Sequence, residues 1–382
     1  MTTLSTQLEI DPTIVKNNIE FLKNKIKKSS NFMAIIKSDA YGHILPNIVA
    51  DIDDQVDGYG VVRLEEAIEL RKISNKKILL MQGVYSQEDF INSRKNNFDL
   101  VIHNELQFNI VKDNNSYENL WFKVNTGMNR LGFEVEDFLK IYDKYLNDKD
   151  FTLMSHLSAS NIPNDPSNKT QFGRFDSLAS KLHSNVSKSI ANTGCILNFP
   201  EKSFDWVRVG IGIFGGYIGN HDLKTAMTLK SPIVNIRKIR KGEKVGYDGR
   251  AVALKEMKIA TVYIGYADGF PNHIKDGTLV KVNEQDAEIF GKVSMDVTTI
   301  DVTNIDECKI GDWCEFFSPN HSINNITSSN NLISYDMMIR IKSRVKRIYK
   351  KLGNYYDTLQ ESANNVPDKF ADILKKSDIN LD

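Results

Sequence analysis

The sequence predicts an α/β fold: an N-terminal parallel (β/α)8 TIM barrel over residues 1–226, then a mainly β C-terminal domain over 227–350 and a polar tail over 351–382. Three observations predict it. Eight short apolar runs recur near 32–36, 58–62, 78–82, 99–102, 120–124, 151–155, 188–191 and 205–209, separated by longer polar or amphipathic stretches, which is the alternation of a parallel β/α barrel. Beyond about residue 226 the pattern changes to β-rich segments broken by Gly and Asp. At 382 residues and 41% hydrophobic content, the chain is long enough for two such domains.

Taken in order, the elements have local causes. Asp11-Pro12 supplies an N-cap and a proline at the first helical position, and Ile14, Val15, Ile19, Leu22 and Ile26 form an apolar stripe behind it. Glu65 to Ile73 combines good helix formers with helical apolar spacing. Lys37 ends the first barrel strand, Arg130 follows the fifth, His156 ends the sixth, Asn192-Thr193 follows the seventh and Arg208 to Ile211 ends the eighth. In a β/α barrel these positions converge on the C-terminal rim, where the last two loops commonly bind phosphate. In the second domain, Pro232-Ile-Val-Asn-Ile-Arg237, Lys258-Ile-Ala-Thr-Val-Tyr-Ile264 and Ala287-Glu-Ile-Phe290 read as strands, and Asn320 to Asn331 as a loop. The tail reads as a surface helix or a partly disordered segment.

Composition excludes some classes of function. Lys plus Arg and Asp plus Glu each number 49, so net charge is zero and nucleic acid is not an expected partner. The opening residues offer neither the basic end nor the apolar core of a secretory signal, and no run is long enough to span a bilayer, so a soluble cytoplasmic protein is expected. Cys195, Cys308 and Cys314 form no disulfide framework and match no common zinc spacing with the seven histidines; no metal is expected.

The chemistry starts at Phe32-Met-Ala-Ile-Ile-Lys37, followed by Ser38-Asp-Ala-Tyr-Gly-His43. An apolar strand ending in lysine puts a primary amine at the rim of a core, where partial desolvation favours its neutral, nucleophilic form. Taken singly, the other candidates have plain structural explanations. His156 suits a core strand, Tyr247 a packed β surface, Arg130 and Arg208 ion pairs, and Gly210 a turn.

The run Ile36-Lys-Ser-Asp-Ala-Tyr-Gly-His43 resembles the cofactor-attachment motif of alanine racemases. Further matches follow in order: Lys123-Val-Asn-Thr-Gly-Met-Asn-Arg-Leu-Gly132, His156, Arg208-Val-Gly-Ile211, Tyr247, Gly265-Tyr-Ala-Asp-Gly269, Ser294-Met-Asp296 and Tyr335. The resemblance implies pyridoxal 5'-phosphate carried on Lys37, a two-base interconversion of L- and D-alanine by Lys37 and Tyr247, and D-alanine supply for peptidoglycan. It implies that His156 and Arg208 assist, and that Tyr41, Thr193, Gly210, Ile211 and Tyr335 hold the cofactor. Arg130 and Met295 would bind the substrate carboxylate, Lys123 matches a lysine that many members carbamylate, and Tyr266 and Tyr335 would narrow the entrance. It also implies a homodimer, with Tyr247 and Met295 reaching the partner's site. Alternatives on the same scaffold are racemisation of another amino acid such as serine, or pyridoxal phosphate binding without catalysis. Departures from the pattern are Asn125 and Asn129 for aspartate and glycine, Thr193 for serine, Ser189 for a histidine behind Arg208, Asn161 for aspartate and Lys292 for arginine.

Overall fold

In the computed structural model, which describes residues 5–219, 221–351 and 354–357, the chain opens with β1 (Gln7–Ile10) and a helix from Pro12 to Lys23. Asp11 caps that helix, its carboxylate accepting from the Thr13 amide at 3.0 Å, and Val15, Ile19 and Leu22 of the expected stripe are buried. The barrel strands follow as β2 (Asn31–Ile35), β3 (Gly58–Val61), β4 (Lys77–Leu80), β5 (Asp99–Ile102), β6 (Leu120–Lys123), β7 (Thr152–Met154), β8 (Ser187–Ser189) and β9 (Trp206–Val209). Each lies within two residues of the run that predicts it. They pair in parallel in the order β8-β7-β6-β5-β4-β3-β2-β9. Residues of β3, β5 and β6 are buried throughout, as a parallel sheet covered on both faces requires.

Single hydrogen bonds close the ring where the ladder stops, between β8 and β9. The Asp205 amide donates to the Lys188 carbonyl at 3.1 Å, and the Arg208 amide to the Ala191 carbonyl at 2.9 Å. The eight strand ends therefore share one mouth.

The second domain is built on β10 (Met227–Ile239), followed by the short hairpin β11 (Lys244–Val245) and β12 (Ala251–Val252). The strands β13 (Met257–Val262), β14 (Leu279–Val282), β15 (Gln285–Ile289), β16 (Thr298–Asp301) and β17 (Trp313–Phe317) complete it. Antiparallel pairing runs β10-β13-β16-β15-β14-β17 and returns to β10, a small closed barrel. A mainly β second domain is what the change of pattern near residue 226 predicts.

Three features depart from the sequence reading. β1 precedes the first barrel strand yet pairs with β10 and with β18 (Lys346–Lys351), so the start of the 1–226 segment is built into the second domain's sheet. Its alternating burial, with Leu8 and Ile10 inward, shows that one face packs on a core that comes from far along the chain. The stretch Asn320 to Asn331, expected as a loop, contains a helix from Ile323 to Ser329. Ser322 caps it, and Ile323, Ile326 and Thr327 are buried, so packing of one apolar edge overrides the weak helix propensity of Asn and Ser. Within the tail, β19 (Asn354–Asp357) pairs with β18; apart from Lys351 the remainder of 351–382 lies outside the described residues.

Candidate active site at the mouth of the barrel

Lys37 follows β2 at the mouth and is partly buried. Burial lowers its pKa, Arg130 nearby lowers it further, and Glu66 partly restores it. Glu66 also organises the backbone here: one carboxylate oxygen accepts from the Ser38 amide at 2.7 Å, the other from the Val62 and Arg63 amides at 3.0 Å. The loops after β2 and β3 are thereby tied together. Sequence reading sees Glu66 only as a neighbour of good helix formers.

Arg208, on β9, is 2% exposed and points into the mouth. One terminal nitrogen donates to the Ser189 hydroxyl, which itself donates to the Trp206 carbonyl at 2.8 Å. The other donates to the Ser155 carbonyl at 2.6 Å and meets His156 Nδ1 at 3.3 Å. A guanidinium only donates, so Nδ1 of His156 must present its lone pair, and its hydrogen sits on Nε2. Burial, then the charges of Arg208 and Lys123, hold His156 well below the usual imidazole range, so it stays neutral at pH 7. Burial pulls Arg208 down to about 10, which leaves it charged. Its Nε is buried with no hydrogen-bond partner. An orphaned donor there awaits an acceptor, because leaving it unpaired costs about 1–3 kcal/mol.

Lys123 ends β6 and is buried; burial, then Arg208 and Arg130, bring its pKa down to about 8. The charges acting on His156 are all cationic, from Arg208, Lys123, Arg130 and Lys37. Such a cluster favours anions. Arg130 sits on a loop that Asn125 shapes: its side-chain oxygen accepts from the Gly127 and Asn129 amides at 3.1 and 3.0 Å, and its amide donates to Asn129 and Glu134 at 2.9 Å. Asn129 lies at φ 55°, a left-handed position that asparagine tolerates. Both departures in this motif thus build the loop rather than break it.

Beside Arg208, the chain turns through Gly210, Ile211 and Gly212. A Cβ on Gly210 would lie 2.5 Å from the Tyr41 hydroxyl, and one on Gly212 2.6 Å from the Thr193 methyl. These glycines let backbone and hydroxyls gather closely. The Thr193 hydroxyl accepts from the Gly212 amide at 3.3 Å and keeps its own hydrogen for donation. Tyr41 is buried, and its ring lies 6.0 Å from that of Tyr335, which comes from the second domain. The loop after β7 is steadied by Gln171, whose amide donates to the His156 carbonyl at 2.9 Å while its oxygen accepts from the Ser158 amide at 2.9 Å. Neither Gln171 nor the Ser155 carbonyl carries a sequence signal, since the first reads as a helix residue and the second is backbone.

A second set of candidates is exposed on the β domain. Tyr247 is 69% exposed, Met295 54% and Tyr266 43%. The Tyr266 and Met295 segments are joined by amide donation from Tyr266 to Ser294 at 3.1 Å and from Ala267 to Met295 at 2.9 Å. Arg344 clamps them, pairing with Asp268 at 2.9 Å and Asp296 at 2.8 Å. Lys292 pairs with Asp248, next to Tyr247, at 2.8 Å. The residues singled out from the sequence therefore form two groups. One lines the barrel mouth and takes in Tyr335; the other, with Tyr247 and Met295, faces solvent.

Comparison with known proteins gives a consistent result along the chain. Residues 10–218 match the family model of the alanine racemase N-terminal domain and residues 226–349 that of its C-terminal domain. An alanine racemase of Alteromonas mediterranea is 35% identical over 338 residues, covering 86% of this chain and 94% of that protein. Among solved structures, the biosynthetic alanine racemase of Pseudomonas aeruginosa superposes with a TM-score of 0.86 at 27% identity, over 91% of this chain and 100% of the other. An alanine racemase of Bartonella henselae with covalently bound pyridoxal phosphate shares the fold, with a TM-score of 0.81 at 24% identity over 91% and 99%. Among the described residues, no helix is long and apolar enough to cross a membrane, and no cluster of metal-ligating side chains is present.

Proposed function

The chain belongs to the alanine racemase family, isomerases that interconvert L- and D-alanine, and we propose that it does so with pyridoxal 5'-phosphate on Lys37, using Lys37 and Tyr247 as its two proton-transferring groups. The observation that carries this reading is the buried, unpartnered Nε of Arg208 beside a glycine cradle and a half-buried lysine. The residues present fit the cofactor. Lys37 would attach it, Arg208 would meet its ring nitrogen, and Tyr41, Thr193, Tyr335 and the amides of Gly210 and Ile211 would hold its phosphate. When bound, it supplies the electron sink that makes the α-proton of alanine acidic enough to remove.

The protein's own part is orientation and proton handling. Lys37, with its lowered pKa, holds a basic lone pair at one face of the α-carbon, and Tyr247 serves the other. Arg208 donates and never accepts, so it leaves a ring nitrogen unprotonated, which favours return of the proton to the α-carbon over transamination. Arg130 and the Met295 amide receive the substrate carboxylate. Lys123, with a pKa of about 8, is neutral often enough to take up carbon dioxide as a carbamate, releasing a proton and placing a negative charge among the arginines. Neutral His156 accepts from Arg208 at Nδ1, which leaves its Nε2–H to donate.

Two copies of the chain complete each site in this reading. Tyr247 and Met295 are exposed on the β domain, open to contact with a partner chain, which supports this arrangement. Tyr266 and Tyr335 then narrow the entrance, where Asn161 and Lys292 change the charge seen by an incoming amino acid. A cytoplasmic location and supply of D-alanine to peptidoglycan complete the proposal. Incubation of the purified protein with L-alanine and pyridoxal phosphate, read by chiral chromatography, should give D-alanine only when the cofactor is added. L-serine run alongside measures the substrate range, because a pocket discriminates weakly against an added hydroxyl. Cofactor uptake without racemisation of either amino acid would refute the proposal.

A further inference from the structure

Four consecutive residues after Lys37 adopt the left-handed helical conformation: Ser38, Asp39, Ala40 and Tyr41 have φ of 54°, 54°, 52° and 55° with ψ of 55°, 50°, 47° and 36°. None is glycine. L-residues normally visit this region singly, because Cβ crowds the following carbonyl, so a full left-handed turn persists only where its surroundings hold it. The Ala40 amide still closes onto the Ile36 carbonyl at 3.0 Å, so the turn is hydrogen-bonded within itself. Its two ends are Lys37 and Tyr41, the amine and the phenol of the barrel mouth.

The restraints converge from three sides. Glu66 takes the Ser38 amide, and Asp39 accepts from the Leu45 amide at 2.7 Å. His43 holds the far end: its Nδ1 lies 3.0 Å from the Ala40 carbonyl and 3.2 Å from the Tyr41 carbonyl. Both partners are acceptors, so Nδ1 carries the hydrogen. The imidazole is wholly buried and stacks on Phe214 with ring centroids 4.3 Å apart, while Phe214 also flanks Tyr41 at 5.2 Å. Its Nε2 has no partner. A buried imidazole that leaves one nitrogen unsatisfied in order to use the other on two carbonyls of a strained turn is placed for that turn.

We propose that His43 is a positioning residue for the reaction, its Nδ1–H fixing the left-handed turn that sets Lys37 and Tyr41 for the cofactor. The proposal rests on the reading of Lys37 as the attachment lysine, and the test separates the two. Cofactor-free wild type, His43→Asn and His43→Gln are mixed with pyridoxal phosphate, and the growth of visible absorption is followed per folded molecule, with melting curves alongside. The asparagine amide N–H falls where Nδ1 does, whereas that of glutamine falls where Nε2 does. His43→Asn should attach the cofactor within about threefold of wild type and His43→Gln about tenfold more slowly, the size expected for loss of one or two hydrogen bonds. A merely structural histidine would lower both melting temperatures and leave the attachment rates alike. Equal rates in wild type and His43→Gln would overturn the role of His43, whereas failure of wild type to take up the cofactor would overturn the reading of Lys37 as well.

Discussion

Arg208 and Ser189 form a direct buried hydrogen bond, the guanidinium donating to a hydroxyl that passes its own hydrogen to the Trp206 carbonyl. A small neutral hydroxyl is thus the acceptor behind Arg208, and it adds no charge there. Ser189→Ala leaves that terminal nitrogen of Arg208 without its acceptor in a site closed to water. It should destabilise the folded protein by about 1–3 kcal/mol in urea unfolding. A variant as stable as wild type would show that the hydroxyl does not hold the arginine.

In the proposed attachment of pyridoxal phosphate to Lys37, the reacting form is the neutral amine. Burial and then Arg130 lower its pKa, against the opposing effect of Glu66, so the attachment rate should rise with pH around a midpoint below 10.5. Arg130→Leu removes a cation that disfavours the ammonium and should move that midpoint upward. An unmoved midpoint would mean that Arg130 acts only on the substrate.

Lys123 ties stability to pH. Its folded-state pKa of about 8 lies below the ordinary 10.5, so below pH 8 both folded and unfolded chains hold the proton and the folded state bears the burial penalty. Between about 8 and 10.5 the unfolded chain binds more protons, and stability should climb with pH. In carbon-dioxide-free buffer, Lys123→Met should show a flatter climb in melting temperature over that window than wild type. Parallel curves would contradict the lowered pKa.

The left-handed turn carries strain that a single substitution relieves. Ser38 is exposed and lies at φ 54°. Ser38→Gly removes the Cβ clash at the expense of a more flexible unfolded chain, for a net gain of about 0.5–1 kcal/mol. A lower melting temperature for this variant would show that the turn is not strained at Ser38.

Much of this arrangement is legible in the sequence, for identifiable reasons. The eight barrel strands announce themselves because each is a short apolar run between helices, and Asp11-Pro12 marks a helix start by local chemistry alone. Lys37, Arg130, His156 and Arg208 fall on one rim because strand ends of a parallel barrel share a face. What sequence does not disclose depends on contacts distant along the chain. β1 pairs with β10 and β18 across more than two hundred residues. The helix from Ile323 to Ser329 forms because one edge is buried, not because asparagine and serine favour it. Glu66, Gln171 and the Ser155 carbonyl act through backbone groups that leave no pattern, and the left-handed turn would be missed by any rule that expects glycine there. The exposure of Tyr247 and Met295 on the β domain is likewise visible only in the folded chain.

In the proposed site Lys37 of one chain works with Tyr247 of another, and mixing two inactive variants distinguishes this from a site made by one chain. Lys37→Ala should lose both the cofactor's visible absorption and racemisation, and Tyr247→Phe should keep the absorption but lose activity, more severely from L-alanine. When the two inactive variants are unfolded together and refolded, half of the dimers carry one chain of each, and each such dimer holds one site with both residues intact. Activity should return to about a quarter of the wild-type value. If the mixture stays as inactive as its parents while wild type recovers fully from the same treatment, Lys37 and Tyr247 of the same chain must act together, and the two chains share no site.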